Sequence, residues 1–153
     1  MTDIAITLLK TAKPTDVQAI GAMVTQLSST APGFSLENLK AMLVASSTTI
    51  FVARANEEIV GMTTLVVFRV ATGLRAFIDD VVVMTTHRKL RLGERLVRAA
   101  IDHAASLGVE KIDLTSRPSR ETANRLYQRM GFERRETNVY RLKLNGNVIS
   151  PEQ

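Results

Sequence analysis

The apolar positions change their period several times along the chain, and each change marks an element. Ile4 to Lys10 alternates loosely and predicts a first strand, closed at Lys13-Pro14-Thr15-Asp16, where Thr15 or Asp16 can cap a helix. Val17, Ile20, Met23, Val24 and Leu27 recur at three-and-four spacing, the mark of an amphipathic helix. Ser28 to Phe34, around Pro32-Gly33, is a loop. Ser35 then caps a second helix to about Ala45, with Leu36, Leu39, Met42 and Leu43 facing inward. Thr49 to Ala55 reads as a strand, Asn56-Glu57-Glu58 as a hairpin turn, and Ile59 to Val70 as a long returning strand with Gly61 marking a bulge. Ala71 to Arg75, with Gly73, is the next turn.

The second half is arranged around one switch of period. Phe77 to Met84 is dense in β-branched and aromatic residues, whereas Leu92, Leu96, Val97, Ala100, Ile101 and Ala104 recur at helical spacing. A strand therefore gives way to a helix of residues 92–107 across a short basic turn. Gly108 punctuates, Lys111 to Thr115 is a further strand, and Pro118-Ser119 opens a helix with Ala123, Leu126, Tyr127 and Met130 on one face. Gly131-Phe132 ends that helix as a Schellman-type stop. Asn138 to Leu144 alternates Val139, Arg141 and Lys143 against Tyr140, Leu142 and Leu144, predicting a last strand, and the patternless tail 145–153 is expected to fray. This order predicts an α/β fold with a mixed, mostly antiparallel sheet of about six to seven strands and about four flanking helices. The helix after the Phe77 strand supplies a central parallel crossover, so a ligand is expected at that strand's carboxyl end.

Composition narrows the class. With 153 residues, 45% of them hydrophobic, the chain can bury one sizeable core, and residues 1–153 read as a single domain. There is no cysteine, and His87 and His103 stand far apart, so neither a disulfide nor a metal site is expected. The N-terminus lacks the layout of a signal peptide, and no apolar run approaches the roughly 18 residues of a membrane span. No membrane partner and a cytoplasmic location are the corresponding expectations. The formal charge of +5 is concentrated between Arg88 and Arg98, where five basic residues stand against Glu94 alone. Aromatics make up 5% of the chain and none interleaves with that cluster, which favours a localised anionic ligand over nucleic acid. Arg88, Lys89 and Arg91 fall at the start of the predicted helix, where free backbone N–H groups and the positive end of the macrodipole favour a phosphate, and Gly93 removes a side chain.

Two stretches carry a resemblance that covers nearly the whole chain. Val-Val-Val-Met-Thr-Thr-His-Arg-Lys-Leu-Arg-Leu-Gly-Glu-Arg-Leu is similar to the strand and pyrophosphate loop of the GNAT superfamily of acyl-CoA-dependent N-acetyltransferases, whose pattern [Arg/Gln]-x-x-Gly-x-[Gly/Ala] falls with Arg88 first and Gly93 last. Asp-Leu-Thr-Ser-Arg-Pro-Ser-Arg-Glu-Thr-Ala-Asn-Arg-Leu-Tyr-Gln-Arg-Met-Gly-Phe resembles the family's later strand and its Asn-x-x-Tyr-x-x-x-Gly-Phe helix. The order of elements matches as well. One departure is Arg91, which stands at the loop's inner glycine position. If that position takes a positive φ, arginine costs on the order of 1 kcal/mol of strain, while a charge-assisted contact to phosphate returns roughly 1.5 to 3 kcal/mol.

The resemblance implies direct attack of a primary amine, on a small molecule or on a peptide or protein, upon acetyl-CoA in a ternary complex. An alkyl amine must lose a proton first. Asp79 falls where some family members carry a glutamate base, and Asp80, on the opposite face of a regular strand, reads as structural. Tyr127 occupies the position credited with protonating the departing thiolate and is also counted among the CoA contacts; its other reading is core packing with Ala123, Leu126 and Met130. Asn124 resembles a CoA contact or is a solvated helix residue. Val81, Val82 and Val83 act through their backbone on the pantetheine and the thioester carbonyl, and Arg88, Lys89, Leu90, Arg91, Leu92 and Gly93 form the phosphate loop. His87 and His103 read as surface residues. The alternative is an acyl-CoA-binding module of the same fold with weak or no transfer, which Arg91 keeps open. A homodimer is left open too.

Overall fold

The computed structural model describes residues 3–144. Met1, Thr2 and the tail 145–153, for which fraying was expected, lie outside the described residues. Two units divide the chain after Ser119. In the first, the elements in order are β1 (Ile4–Leu8), α1 (Pro14–Leu27), α2 (Leu36–Val44), β2 (Thr48–Ala55), β3 (Glu58–Val70), β4 (Gly73–Val83), α3 (Leu92–Ser106) and β5 (Lys111–Asp113). The strands form one sheet in the order β1-β2-β3-β4-β5. The first three pairings are antiparallel and β4–β5 is parallel, the crossover being made through α3.

The helices start largely as their sequences dictate. Ser35 caps α2, its Oγ accepting from the Asn38 N–H at 3.1 Å. For α1, neither Thr15 nor Asp16 is the cap: the N-cap is Lys13 with no side-chain bond, and Pro14, which has no N–H to satisfy, takes the first turn. Asp16 is instead buried and meets Arg54 of β2 through two N–H···O contacts of 3.0 Å. That pair ties α1 to the sheet.

Period-2 alternation in β2 sends residues to two cores. Ile50 and Val52 join Ile20, Met23 and Leu39 of the first two helices, with Ile59, Met62 and Val82 completing that cluster. Phe51 faces α3, where its ring meets His103 edge-on at 5.6 Å between centroids. Both faces of the central strands are thus covered, and β2 and β3 are buried through most of their length. The predicted bulge at Gly61 is present: the β2–β3 register shifts between Ala53 and Arg54, where β3 steps from Gly61 to Ile59. A Cβ at Gly61 would lie 3.1 Å from Leu96 Cδ1 and 3.3 Å from the Val82 carbonyl oxygen, so the missing side chain lets α3 approach the sheet. The β3–β4 turn narrows to Ala71-Thr72, with Gly73 at φ 131° paired to Val70, so β4 starts before Phe77.

The second unit holds α4 (Glu121–Arg129) among its described residues. Its end is the Schellman stop read from Gly131-Phe132: Gly131 has φ 101°, its N–H bonds the Gln128 carbonyl at 3.1 Å, and the Phe132 N–H bonds the Tyr127 carbonyl at 2.9 Å.

The expectation of six to seven strands is corrected to five among the described residues. The difference includes Asn138 to Leu144, predicted as the last strand, which carries no strand assignment. Alternation shows that a segment can serve as a strand. A strand exists only where a neighbouring edge accepts its N–H and C=O groups, and no backbone hydrogen bond involves residues 133–144 among the described residues.

Candidate functional site

The feature that distinguishes β4 from an ordinary strand is a bulge beside a free edge. Met62 pairs with Val82 and Thr64 with Asp79, so one β3 residue, Thr63, stands opposite two β4 residues, Asp80 and Val81. Asp80 absorbs the extra residue in the left-handed region at φ 53°, a conformation that aspartate tolerates better than most L residues. The Thr63 hydroxyl donates to the Asp79 carbonyl at 3.2 Å, and the Thr64 hydroxyl makes a long contact, 3.4 Å, to Asp80 Oδ2. Both threonines are buried. Sequence reasoning passed over them, although two adjacent hydroxyl residues inside an apolar strand are a signal in themselves.

The bulge also corrects the placement of the two carboxylates. Simple alternation put them on opposite faces, but a left-handed residue breaks the pleat at Asp80. Asp79 is exposed, and one of its oxygens, Oδ1, accepts from the Asp80 N–H at 2.8 Å. Asp80 is half-buried. Desolvation raises its pKa above the ordinary carboxylate value, the nearby Asp79 charge raises it further, and the Thr64 contact acts the other way.

On its other side, β4 pairs with β5 only over Arg75–Phe77 against Lys111–Asp113. From Ile78 to Val83 that edge has no strand beside it among the described residues. Val81, Val82 and Val83 therefore stand at the carboxyl end of a strand whose backbone is open to an extended ligand. Val82 is buried, while Val81 and Val83 are partly exposed.

The same strand leads into a basic loop. Thr85–His87 makes one 3₁₀ turn, Arg88 is extended, and Lys89 and Arg91 are left-handed at φ 71° and 56°. Arg91 is the N-cap of α3 and offers no side-chain cap. The inner loop position thus does take the positive φ that glycine would adopt without strain. The first helical bond runs from the Arg95 N–H to the Arg91 carbonyl at 3.1 Å, so the N–H groups of Leu92, Gly93 and Glu94 precede the helix ladder. Leu92 is buried and anchors the turn, while Arg88, Lys89, Leu90 and Arg91 are exposed around it. Together they can hold an anion by oriented N–H groups and unburied cations. Arg91 also borders a groove of about 630 Å³ with Ile6, Arg95 and Arg98 on the flank of α3.

In the second unit, Asn124 lies within α4, its N–H bonded to the Arg120 carbonyl at 3.0 Å. Tyr127 is buried, its ring meeting Phe132 edge-on at 5.9 Å between centroids. His87 bonds Thr86 and His103 packs on Phe51, which accounts for both rings. Among the described residues, no group of three or more His, Cys, Asp or Glu gathers to hold a metal ion, and no helix is long and apolar enough to cross a membrane.

A sequence profile described as the Acetyltransferase (GNAT) family matches residues 23–132. Compared with curated proteins by sequence, the chain matches none. Solved structures of the same fold include a protein from Agrobacterium tumefaciens provisionally named an acetyltransferase, with TM-score 0.80 and 24% identity over 91% of this chain and 99% of that one. Glucosamine-6-phosphate N-acetyltransferase from Arabidopsis thaliana superposes with TM-score 0.77 and 18% identity, covering 92% of this chain and 98% of its own. The aminoglycoside N-acetyltransferase AAC(6')-Iy in complex with CoA gives 0.76 and 16%, covering 94% and 97%.

Proposed function

Because the chain belongs to the GNAT acetyltransferase family, we propose that it transfers an acetyl group from acetyl-CoA to a primary amine of a small molecule or of a peptide or protein, by direct attack in a ternary complex. One observation carries this reading: the open edge of β4 beyond its bulge runs into the left-handed, arginine-rich start of α3. An extended pantetheine takes the N–H and C=O groups of Val81, Val82 and Val83, as an added strand would. The pyrophosphate takes the N–H groups and cations of Arg88, Lys89, Leu90, Arg91, Leu92 and Gly93. Asn124 and Tyr127 complete the CoA contacts.

A thioester carbonyl beside the bulge would find a backbone N–H to accept the charge that develops as the amine attacks. Asp79, exposed and lacking a cationic partner among the described residues, is the group we assign to remove the amine proton, directly or through water. Tyr127 returns a proton to the departing CoA sulfur. Acceptors named for the structural neighbours are an amino sugar phosphate and aminoglycosides, which supports an amine acceptor without choosing one. The profile match runs across the boundary between the two units, in keeping with one catalytic domain over residues 1–153. The reading takes the protein as cytoplasmic, with neither a nucleic acid nor a membrane as partner.

A second reading, an acyl-CoA-binding module with weak or no transfer, is favoured only by Arg91 at a left-handed loop position. One measurement tests both readings and a second separates them. Millimolar acetyl-CoA raises the melting temperature under both, because a ligand selective for the folded state stabilises it. Release of free CoA thiol upon adding a panel of amines occurs only under the first. No thermal shift in a folded sample overturns both.

A further inference from the structure

The sheet face that carries Asp79 carries cations as well. Side chains at every second position of a strand share a face, and residues paired across strands stand side by side on it. Pairing is regular up to the bulge, so Asp79 shares its face with Phe77 and Arg75 of β4 and with their register partners on β3, Thr64, Val66 and Phe68. On the other side of β4, Lys111 pairs with Arg75 and Asp113 with Phe77, which brings both onto that face. Cover is lost along it: Thr64 is buried, Val66, Arg75 and Phe77 are half-buried, and Phe68, Asp79, Lys111 and Asp113 are exposed. Arg75 and Lys111 thus stand next to each other, where like charges repel. Neither is neutralised by an ion pair, since Arg54–Asp16 is the one salt bridge among the described residues. The Arg75 guanidinium donates to the Thr72 hydroxyl, which holds it in place and leaves its charge uncompensated. Asp113, one pairing step away, offsets one of the two charges at most. Phe77 and Phe68, the latter 37% exposed, add aromatic surface beside them.

We infer that Arg75 and Lys111 form an anion subsite for the acceptor, a small primary amine that bears a phosphate or carboxylate at its far end. This rests on the transfer reading above and narrows its substrate class. The amine of such a molecule reaches Asp79 while its anion lies against the two cations. Two side-chain steps separate Arg75 from Asp79, about 13 Å along a strand, and Phe77 is the step between. The acceptor is therefore elongated, with a ring or chain laid over Phe77. An anion bridging the guanidinium and the ammonium makes charge-assisted contacts and relieves the repulsion between them. A diamine fits poorly, because its second ammonium would meet the same two cations.

The test uses the full chain and acetyl-CoA. Thiol release compares glucosamine 6-phosphate with glucosamine, and aminoalkyl phosphates and carboxylates of graded length with alkylamines of equal length. The anionic amines are expected to react with kcat/KM about tenfold higher or more, the worth of one charge-assisted contact, and the two series tell phosphate from carboxylate. Arg75→Glu with Lys111→Glu should raise KM for the anionic amines about a hundredfold with kcat little changed, and turn the preference towards diamines. Arg75→Gln alone should cost about tenfold and serves if the double reversal does not fold, while Arg75→Lys should keep most of the preference. Equal kcat/KM for anionic and neutral amines in the parent, or a preference that survives the reversal, overturns the subsite and leaves acetyl transfer standing. Calorimetric titration of the CoA-saturated protein with the same amines reads the subsite without turnover. Tighter binding of the anionic amines with no thiol release from any amine overturns the transfer reading alone, and no such preference in the titration overturns the subsite.

Discussion

Asp79 caps its own neighbour: its Oδ1 accepts the Asp80 N–H at 2.8 Å, at the point where Asp80 turns left-handed and β4 gains a residue over β3. One carboxylate thus stabilises the backbone distortion while the other is carried into a half-buried position against Thr64. The two must differ in chemistry. Asp79→Asn is expected to lower kcat by about 10²-fold or more, the usual contribution of a positioned base, with acetyl-CoA affinity nearly unchanged. Asp80→Asn should act on stability instead. A purely structural Asp79 would leave the turnover of the folded Asn variant, read by thiol release, close to that of the parent.

The sign of the Asp80 effect is set by its raised pKa. Above the unfolded carboxylate value the native state holds this group at a disadvantage, and below it the disadvantage vanishes because both states are protonated. Asp80→Asn is therefore expected to stabilise near neutral pH by about 0.5–2 kcal/mol, the usual yield of relieving one unfavourable site, and Asn also suits a left-handed φ. The gain should shrink as pH falls through the ordinary carboxylate range. Urea unfolding of both proteins across that range checks it, and a gain growing towards acid would contradict the assignment.

Tyr127→Phe keeps the ring that meets Phe132 edge-on and removes only the hydroxyl. Turnover should fall by about 10²-fold or more with acetyl-CoA affinity nearly unchanged, since the hydroxyl acts late in the reaction. Equal turnover, read by thiol release, would leave Tyr127 a packing residue.

Arg91→Gly removes both a left-handed side chain and a cation from the start of α3. The backbone should gain about 1 kcal/mol of stability, while acetyl-CoA binding at low salt weakens about tenfold with the loss of one charge-assisted contact. High salt narrows that difference by screening the parent. Calorimetric titration at two ionic strengths decides, and tighter binding by the variant at both would make Arg91 an obstruction and favour the weak-transfer reading.

Arg54→Met leaves the buried Asp16 carboxylate without its two-point partner. The expected loss is about 3 kcal/mol, the cost of stranding one half of a buried pair, and adding Asp16→Leu should recover most of it. Denaturant unfolding of the two single variants and the double closes the cycle.

The apolar period alone determined where most elements lie, because each helix or strand must turn one face to a core and the face writes itself into the sequence. The Ser35 cap, the Gly131-Phe132 stop and the loop-to-helix switch before Leu92 were legible for the same local reason: each needs a particular residue type within a few positions. What the tertiary structure decided depended on partners far along the chain. Asp16 reads as a cap until Arg54 is found against it. Asp79 and Asp80 read as opposite faces until the pairing with Thr63 and Thr64 shows a bulge. Asn138 to Leu144 reads as a strand, yet alternation specifies only a face, and a strand is made by the edge it meets.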